Sequence, residues 1–287
     1  MSADAVLFHA GDFDEKDLPT IRRPDQYFIF FFLEPPTMHY ERLPYIPFNF
    51  FNVTMTYRRQ SEIFSPYASL VKISDDPFVT IPWDFETVKQ RLSKKKKSAL
   101  QFVSHCFTNS KREAYVVQLR RYIDVTVLGR CHKRCDDQCE KKAIGICILN
   151  FYLDEHLFYL AFENSVCKDY ITEKVYSRLG EFLPIVLKRS ILKDVLPDKA
   201  FIAADDFNSP KQLAGYLNYL KKNRGELMKH FEWLKSYGFG TGGGCTLCRY
   251  LHQKPRPKNI IRDVKNWWLE NANCDTNYGL KLVEKNN

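Results

Sequence analysis

The stretch LFYLAFENSVCKDYITEKVY, residues 157–176, decides the fold. Its apolar run from Leu157 to Phe162 is typical of a buried strand. A polar loop follows from Glu163, and a helix is predicted to begin at Thr172 with Lys174 in its first turn. A buried strand that leads through a polar loop into a helix N-terminus is how α/β folds present groups to a nucleotide. The stretch therefore predicts an α/β fold with an anion-binding edge.

Pro-rich or polar connections separate three strand-like runs in the first 93 residues, and the second half of the chain alternates strands with helices. Strands that alternate with helices of ten or more residues are typical of a parallel α/β sheet. The predicted strands are Ala5–His9, Tyr27–Leu33, Phe51–Tyr57, Leu100–Ser104, Val125–Leu128, Leu157–Phe162, Pro184–Leu187 and Phe201–Ala203, and the predicted helices are Ser110–Ile123, Thr172–Phe182 and Pro210–Asn223.

A run of four lysines, Lys94 to Lys97, marks the predicted domain boundary. The length of 287 residues suits one large or two ordinary domains. A run of like charges is more often a solvated linker than a binding site. We therefore predict an N-terminal domain at 1–93, a linker at 94–98, a C-terminal domain at 99–240, and a cysteine-containing tail with a C-terminal helix at 241–287.

The composition narrows the class of protein. The 22 Phe and 16 Tyr residues indicate a packed globular protein rather than a disordered one. The net charge of +9 favours a polyanionic partner: nucleic acid, an anionic membrane or a phosphorylated ligand. The longest strongly apolar stretch, Tyr27 to Leu33, is far shorter than the ~18–20 residues of a membrane-spanning helix. The first residues have no signal-peptide pattern, so the chain itself shows no anchor or signal.

Nine cysteines are many for a cytosolic chain and indicate an oxidising compartment. Cys245-x-x-Cys248 is half of a four-cysteine zinc site. Cys131, Cys135 and Cys139 are spaced more loosely than zinc ligands usually are. Disulfides are therefore favoured over zinc, and because nine is odd at least one thiol is expected to stay unpaired.

Cations at the starts of two predicted helices point to a phosphate ligand. The helix from Ser110 carries a capping box with Glu113 and places Lys111 and Arg112 in its first turn, and the other helix places Lys174 there. Such a cation opposes the helix dipole, and a bound anion would remove that penalty. The cations of either helix alone are adequately explained as solvated surface residues. Together they predict a cradle for a diphosphate.

The stretch at 157–176 resembles the motif FEN-(S)-x-x-x-D-Y-[IV]-T-E-K of the α1,3/4-fucosyltransferases, glycosyltransferase family 10. Further resemblances follow the order of the family's motifs from about residue 3 to residue 268. They lie at 3–9 (DAVxFH), 32–36 (xxESP), 52–61 (NWTxxYRRxSD), 103–131 (VSNC…R…YI-x-V…YGKC), 200–209 (SFI…DDF-x-S) and 216–233 (YL…L…N…YFxW).

The resemblance implies an α/β fold of GT-B type, with two Rossmann-like domains facing across a cleft and a GDP-sugar held mainly by the second. The chain begins just before the DAVxFH element, so the N-terminal domain is expected to be incomplete. In the family the C-terminal CxxC pairs with cysteines of the N-terminal region, so Cys245 and Cys248 are expected to lack their partners. The implied location is the Golgi lumen, as a type II membrane glycoprotein whose anchor is absent from this chain.

The implied reaction is inverting α1,3-fucosyl transfer from GDP-β-L-fucose to a GlcNAc hydroxyl of a glycan or glycoprotein, a step of protein glycosylation. Arg112 and Lys174 would pair with the GDP diphosphate and stabilise it as leaving group, as a metal does elsewhere. Tyr170, Glu173 and Asn164 match positions that contact nucleotide, ribose or fucose. No metal site and no required cofactor are implied, and Mn or Mg ions are expected at most to stimulate.

Glu34 matches the family's general base, which takes the proton from the acceptor hydroxyl as its oxygen attacks fucose C1. Pro35 and Pro36 follow it where the family usually has Ser-Pro. Without the resemblance Glu34 would be interpreted as an ordinary loop residue. Glu163 ranks lower as a donor contact, because it is equally well interpreted as a structural carboxylate that binds backbone amides. Asn52 begins an N-glycosylation sequon.

Two alternatives have their own signatures. A catalytically dead relative would bind GDP without transferring fucose. A basic nucleic-acid-binding protein built around Lys94 to Lys97 would bind RNA in a salt-sensitive way and ignore GDP. The chain lacks the sequence signatures of the common nucleic-acid-binding modules, so no nucleic acid partner is expected.

Overall fold

The computed structural model describes residues 3–38, 46–131, 153–255 and 259–285, and the chain divides between two units. Unit 1 consists of residues 1–69, 167–171 and 241–274, and unit 2 of residues 70–166, 172–240 and 275–287. The chain therefore leaves unit 2 after Val166, adds a short segment to unit 1 and returns at Thr172.

Unit 1 is built on a parallel sheet of four strands in the order β1-β2-β3-β4. The strands are β1 (Ala5–His9), β2 (Tyr27–Phe32), β3 (Val53–Thr56) and β4 (Ile63–Phe64), and two helices of the same unit span Gly243–Leu251 and Val264–Glu270.

The sequence of β2 is apolar without interruption because both faces of this strand are covered. Phe28, Phe30 and Phe32 pack on one face against the cluster that contains Trp268 of the second helix. Tyr27 and Ile29 pack on the other face in a cluster with Tyr250 of the first helix. A parallel strand covered on both faces needs apolar residues at both of its alternating positions.

Unit 2 is built on a parallel sheet of five strands in the order β10-β9-β8-β6-β7. A second, antiparallel pair joins β5 to β11. The strands are β5 (Leu70–Lys72), β6 (Lys97–Phe102), β7 (Val125–Leu128), β8 (His156–Leu160), β9 (Leu183–Val186), β10 (Ile202–Ala203) and β11 (Tyr237–Phe239). The helices of this unit span Phe85–Lys94, Arg112–Leu119, Glu173–Tyr176, Arg189–Leu192, Pro210–Lys222, Arg224–Lys229 and Tyr278–Glu284.

The α/β class is confirmed, and strand β7 has the predicted bounds. The helix predicted at Thr172–Phe182 is wrong in length, because regular α-helix covers only Glu173–Tyr176. The Ser177 hydroxyl donates to the Glu173 carbonyl at 2.6 Å, and the next residues form tighter turns. Gly180 then turns the chain with a φ of 77°.

The lysine run belongs to regular structure rather than to a linker. Lys94 ends a helix and Lys97 begins β6, while the two units divide between Ser69 and Leu70. Lys95 is only 1% exposed, and its Nζ donates to the Glu181 carbonyl at 2.6 Å. Burial lowers the pKa of Lys95 to about 7. The run therefore includes a side chain of the core, which its charge pattern does not indicate.

Replacing Lys95 by methionine is expected to change how stability depends on pH. Between about pH 7 and its ordinary pKa of 10.5, Lys95 is charged in the unfolded chain and neutral in the folded one. The unfolded chain then binds more protons, so this residue makes the free energy of unfolding rise with pH in that range. Urea unfolding at pH 6 to 9 should show the difference, wild type minus Lys95→Met, flat below pH 7 and increasing above it. Lys96→Met, which alters an exposed neighbour, is the control, and a flat difference for Lys95→Met would contradict the burial of a titrating amine.

Disulfides join Cys106 to Cys131 in unit 2 and Cys167 to Cys274 in unit 1. The CxxC cysteines, Cys245 and Cys248, are free and exposed on one helix. The predictions for Cys135 and Cys139 lie outside the described residues. Within the described ranges, no group of three or more His, Cys, Asp or Glu side chains is arranged to hold a metal ion. None of the helices described combines the length and the apolarity that crossing a bilayer requires.

Candidate functional site

The candidate site of unit 2 lies at the carboxyl ends of β6 and β8. In chain order the five strands are arranged 2-1-3-4-5, so the direction of the connections reverses between these two strands. In open α/β sheets, ligands bind in the crevice outside the carboxyl ends of strands at such a switch point. The loop after β8 is the FENS segment at 162–165, and the loop after β6 leads into the helix Arg112–Leu119.

The two loops are joined by hydrogen bonds from Ser110. Its backbone N–H donates to the Asn164 carbonyl at 2.9 Å, and its hydroxyl donates to the Glu163 carbonyl at 2.7 Å. Ser110 is completely buried. These bonds hold the loop after β8 in a fixed position, which is what a preorganised binding site requires.

The capping box predicted between Ser110 and Glu113 is wrong. The residue before the helix is Lys111, whose φ of 53° lies in the left-handed region. The Glu113 carboxylate instead accepts from the backbone N–H of Thr108 at 3.3 Å and from its hydroxyl at 2.8 Å. The Ser110 hydroxyl is not available as a cap because it serves the neighbouring loop.

The Arg112 side chain is buried between the two loops and is only 3% exposed. Its Nη1 donates to the Phe162 carbonyl at 2.5 Å and its Nη2 to the His105 carbonyl at 3.3 Å. The guanidinium thus joins the ends of the two loops and places a positive charge there. Its direct contact with a diphosphate remains a prediction.

Lys174 lies beside the same strand end in a network built on Glu163. The Glu163 carboxylate accepts from the Thr172 backbone N–H at 2.9 Å and from its hydroxyl at 2.7 Å. Lys174 Nζ lies 3.1 Å from Glu163 Oε2, 3.0 Å from Thr172 Oγ1 and 3.2 Å from Glu173 Oε1. Glu163 thus binds a backbone amide, as its structural interpretation predicts. From the sequence, Thr172 is only the predicted start of a helix. In the structure Thr172 donates to Glu163, and its hydroxyl oxygen accepts from Lys174.

The charges of this network are set by burial and by one another. Burial raises the pKa of Glu163, and the neighbouring Lys174 and Thr172 lower it by less. Burial also lowers the pKa of Lys174, but the attraction of Glu163 and Glu173 outweighs that effect and leaves the pKa raised. Lys174 therefore stays a cation at neutral pH. Its side chain is 21% exposed, so a ligand at this strand end can reach part of it.

Glu173 and Asn164 complete the predicted donor residues in unit 2. The Glu173 side chain is 60% exposed and shares the Lys174 ammonium. Asn164 is half-buried, and its backbone carbonyl accepts from Ser110. The structure thus gathers Arg112, Glu163, Asn164, Glu173 and Lys174 in the loops and helix starts that follow the carboxyl ends of β6 and β8.

Glu34 and Tyr170 belong to unit 1 and lie next to each other. Glu34 is half-buried and follows β2. Tyr170 is 2% exposed, and its hydroxyl lies 3.5 Å from Glu34 Oε2. Tyr170 is therefore grouped with the predicted general base, although its neighbour Thr172 belongs to unit 2.

Asn52 has a structural role in unit 1. Its Oδ1 accepts from the Phe28 backbone N–H at 2.8 Å and from the Arg22 guanidinium. Its Nδ2 donates to the Asn259 carbonyl at 2.9 Å. A glycan attached to Nδ2 would have to displace that carbonyl, so N-glycosylation at Asn52 remains a prediction that this packing opposes.

Two family models match the chain. The model described as "Glycosyltransferase family 10 (fucosyltransferase) C-term" matches residues 92–267, and the model described as "Fucosyltransferase, N-terminal" matches residues 1–68. The first model covers more than half of the chain and includes all the donor residues named above.

Curated relatives agree with the family models. Alpha-(1,3)-fucosyltransferase fut-1 of Caenorhabditis elegans is 33% identical over 95% of this chain and 63% of its own length. Alpha-(1,3)-fucosyltransferase C of Drosophila melanogaster is 32% identical over 94% of this chain and 66% of its own length. The C. elegans protein fut-5 is 30% identical over 98% of this chain and 75% of its own length. The chain thus spans somewhat less than two thirds of the first two relatives.

The fold is also similar to a crystal structure of an α1,3-fucosyltransferase with GDP-fucose. The TM-score is 0.56 at 16% identity, and the match covers 88% of this chain and 79% of the other. A likeness at this identity shows the fold and agrees with the parallel sheets of both units. From the matched motifs, the family models and the relatives we conclude that the chain belongs to glycosyltransferase family 10, the fucosyltransferases.

Proposed function

We propose that this chain is an inverting α1,3-fucosyltransferase that transfers L-fucose from GDP-β-L-fucose to a GlcNAc hydroxyl of a glycan acceptor. The observation that carries the proposal is the charged Lys174 at the switch point of unit 2, held by Glu163 and Thr172. Family membership supports the donor and the reaction type. We also propose a Golgi location for the intact protein, by analogy with the family.

In the proposed reaction, unit 2 binds the donor and stabilises the leaving group. Lys174 exchanges part of its pairing with Glu163 and Glu173 for the oxygens of the diphosphate, on which negative charge grows as the C1–O bond breaks. Arg112 adds a positive charge at the same strand end, where its Nη1 and Nη2 also donate to the Phe162 and His105 carbonyls. A fixed charge aimed at the place where charge develops lowers the barrier without reorganisation.

Unit 1 supplies the base. Glu34 takes the proton from the acceptor hydroxyl while that oxygen forms its bond to fucose C1 on the face opposite the departing GDP. Attack from the opposite face inverts the anomeric configuration, and the products are the fucosylated glycan, GDP and a protonated carboxyl. Because Lys174 provides the charge, no metal ion is required in the proposed reaction, and added Mn or Mg is expected at most to stimulate it.

A GDP-release assay with GDP-fucose and a panel of GlcNAc-containing acceptors tests the proposal. We expect GDP release that depends on acceptor, together with an acceptor product heavier by one fucose. Thermal protection by GDP without turnover on any acceptor would favour the catalytically dead relative. Salt-sensitive RNA binding without protection by GDP would favour the nucleic-acid alternative.

A further inference from the structure

A cleft of unit 2 lies at the edge of the sheet opposite the candidate donor site. Lys95, Asp154 and Glu181 line it, and each comes two residues before a strand, namely β6, β8 and β9. These strands are parallel neighbours, so the three residues lie together at the amino ends of the strands. The five residues of β8, roughly 17 Å at ~3.3 Å each, separate this edge from the carboxyl ends. We call this cavity the amino-edge cleft.

The amino-edge cleft has two adjoining parts, with volumes of about 270 and 290 Å³, and Arg91 and Glu181 line both. Aromatic rings wall the first part, where Trp83, Tyr176 and Phe239 lie. Charged side chains line most of the second part. Small-ligand sites in proteins usually enclose ~300–1,000 Å³, so the two parts together have room for a small ligand. Among the described residues that line the cleft, none is a proposed donor or acceptor residue.

Trp83 forms a fixed wall of the first part. Its indole N–H donates to the Leu234 carbonyl at 3.3 Å, and its ring centroid lies 5.2 Å from that of Trp233 and 5.2 Å from that of Phe239. Trp83 nevertheless remains only half-buried, so a ligand in the cleft can reach part of it. The face of an aromatic ring carries partial negative charge and attracts C–H groups, which a sugar ring presents on its less polar face. A rigid, accessible indole is therefore suited to a sugar.

Hydrogen-bonding groups of both kinds lie around this wall. Asp84 and Glu181 offer carboxylate oxygens, Arg91 offers N–H donors, and Thr87 carries a hydroxyl. Glu181 Oε2 is buried without a hydrogen-bond partner among the described residues, since Arg178 Nη1 lies 3.7 Å from it. A sugar hydroxyl both donates and accepts, so it matches a lining that contains acceptors as well as donors.

The charges of the lining oppose an anionic ligand. Among the described lining residues, Asp84, Asp154 and Glu181 are acidic, whereas Arg91 and Lys95 are basic. Burial lowers the pKa of Lys95 to about 7, so this amine is only partly charged at neutral pH. Negative charge therefore exceeds positive charge in the cleft, and a phosphate or an acidic sugar would be repelled. A neutral sugar meets no such penalty.

We propose that the amino-edge cleft binds one neutral sugar unit of a glycan, with the C–H face of the ring on Trp83 and its hydroxyls on Glu181 and Arg91. The cleft is then a second saccharide site, remote from the proposed reaction centre. The inference takes the kind of ligand from the proposed function, whose acceptor is a GlcNAc-bearing glycan. The binding itself needs no donor and no transfer chemistry.

The four tryptophan residues of the chain provide a local test. In protein labelled with ¹⁵N-tryptophan, the indole N–H signal of Trp83 is assigned by its loss in Trp83→Phe. We expect the neutral GlcNAc disaccharide N,N′-diacetylchitobiose to move this signal in a saturable way. The expected Kd is about 1 mM, because one sugar ring on one aromatic wall buries little surface. A shift confined to Trp267 and Trp268 would place the sugar in unit 1 and contradict the proposal.

Variants that fill the cleft give the matched comparison. Thr87→Tyr adds a ring to the lining from the helix Phe85–Lys94 and should raise the Kd for the disaccharide at least about tenfold. Ser177→Tyr fills the cleft from another segment, so it serves if Thr87→Tyr fails to fold. Gln90→Tyr adds the same ring at an exposed position of the same helix outside the lining, and its Kd should stay within about twofold of wild type.

Binding is measured here without GDP-fucose and without turnover, so its result is independent of whether the protein transfers fucose. A Trp83 signal that does not move at about 20 mM disaccharide would overturn the proposal. An unchanged Kd in both filled variants would also overturn it. A larger shift with choline or with inorganic phosphate than with the disaccharide would replace the sugar by a cationic or an anionic ligand.

Discussion

Replacing Glu34 by glutamine is expected to lower kcat for fucosyl transfer about 100- to 10,000-fold, the range in which general base catalysis contributes. Glutamine keeps the size of the side chain and can still accept the Tyr170 hydrogen bond, so the orientation of the group is retained. It cannot take a proton.

Binding and folding separate this effect from damage to the protein. GDP should raise the thermal midpoint of Glu34→Gln as much as that of wild type, because the proposed diphosphate ligands Arg112 and Lys174 belong to unit 2. Glu15→Gln changes an exposed carboxylate of unit 1 and should leave the rate unaltered. Wild-type turnover in Glu34→Gln would assign the base to another residue.

Replacing Lys174 by methionine is expected to lower kcat about 100- to 1,000-fold, as the loss of one preorganised electrostatic partner does in other enzymes. The variant should also bind GDP more weakly, since the diphosphate loses its cation. Both effects follow from the position of Nζ beside Glu163 and Thr172 at the end of β8. Initial rates at saturating acceptor and a GDP titration measure them separately.

The same change leaves the buried Glu163 without its cation, so a structural explanation has to be tested. In the double variant Lys174→Met, Glu163→Gln the amide oxygen can still accept from Thr172 without a buried charge. We expect the double variant to regain the thermal midpoint but not the rate. A regained rate would show that Lys174 acts only by neutralising Glu163.

Replacing Arg112 is a less specific test of diphosphate binding than its predicted role suggests, because the residue also has structural contacts. Its side chain is buried and bonded to the carbonyls of Phe162 and His105. Arg112→Ala would leave both carbonyls without a donor, so a lower thermal midpoint is expected as well as lower activity. A comparison of Arg112→Lys with Arg112→Ala is more informative, because lysine keeps the charge.

Much of the fold could be predicted because local patterns encode it. The apolar runs that became β2 and β8 are continuous, as buried parallel strands require. The helix Pro210–Lys222 begins at the predicted residue, with Ser209 as its N-cap and Pro210 at its first position. The helix after Thr172 was predicted too long, because its propensity does not reveal that the Ser177 hydroxyl and Gly180 end it early.

The sequence by itself determined the order of strands and loops, the family, and the residue types gathered at the end of β8. Tertiary structure alone decided that Arg112 and Lys95 are buried, that Ser110 joins two loops, and that the Tyr170 hydroxyl lies beside Glu34. The Glu163 carbonyl that Ser110 binds lies more than 50 residues from it in the chain, and Glu34 lies more than 100 residues from Tyr170. Periodicity and capping express interactions within a few residues, whereas these roles depend on which distant segments meet, and only the packed chain specifies that.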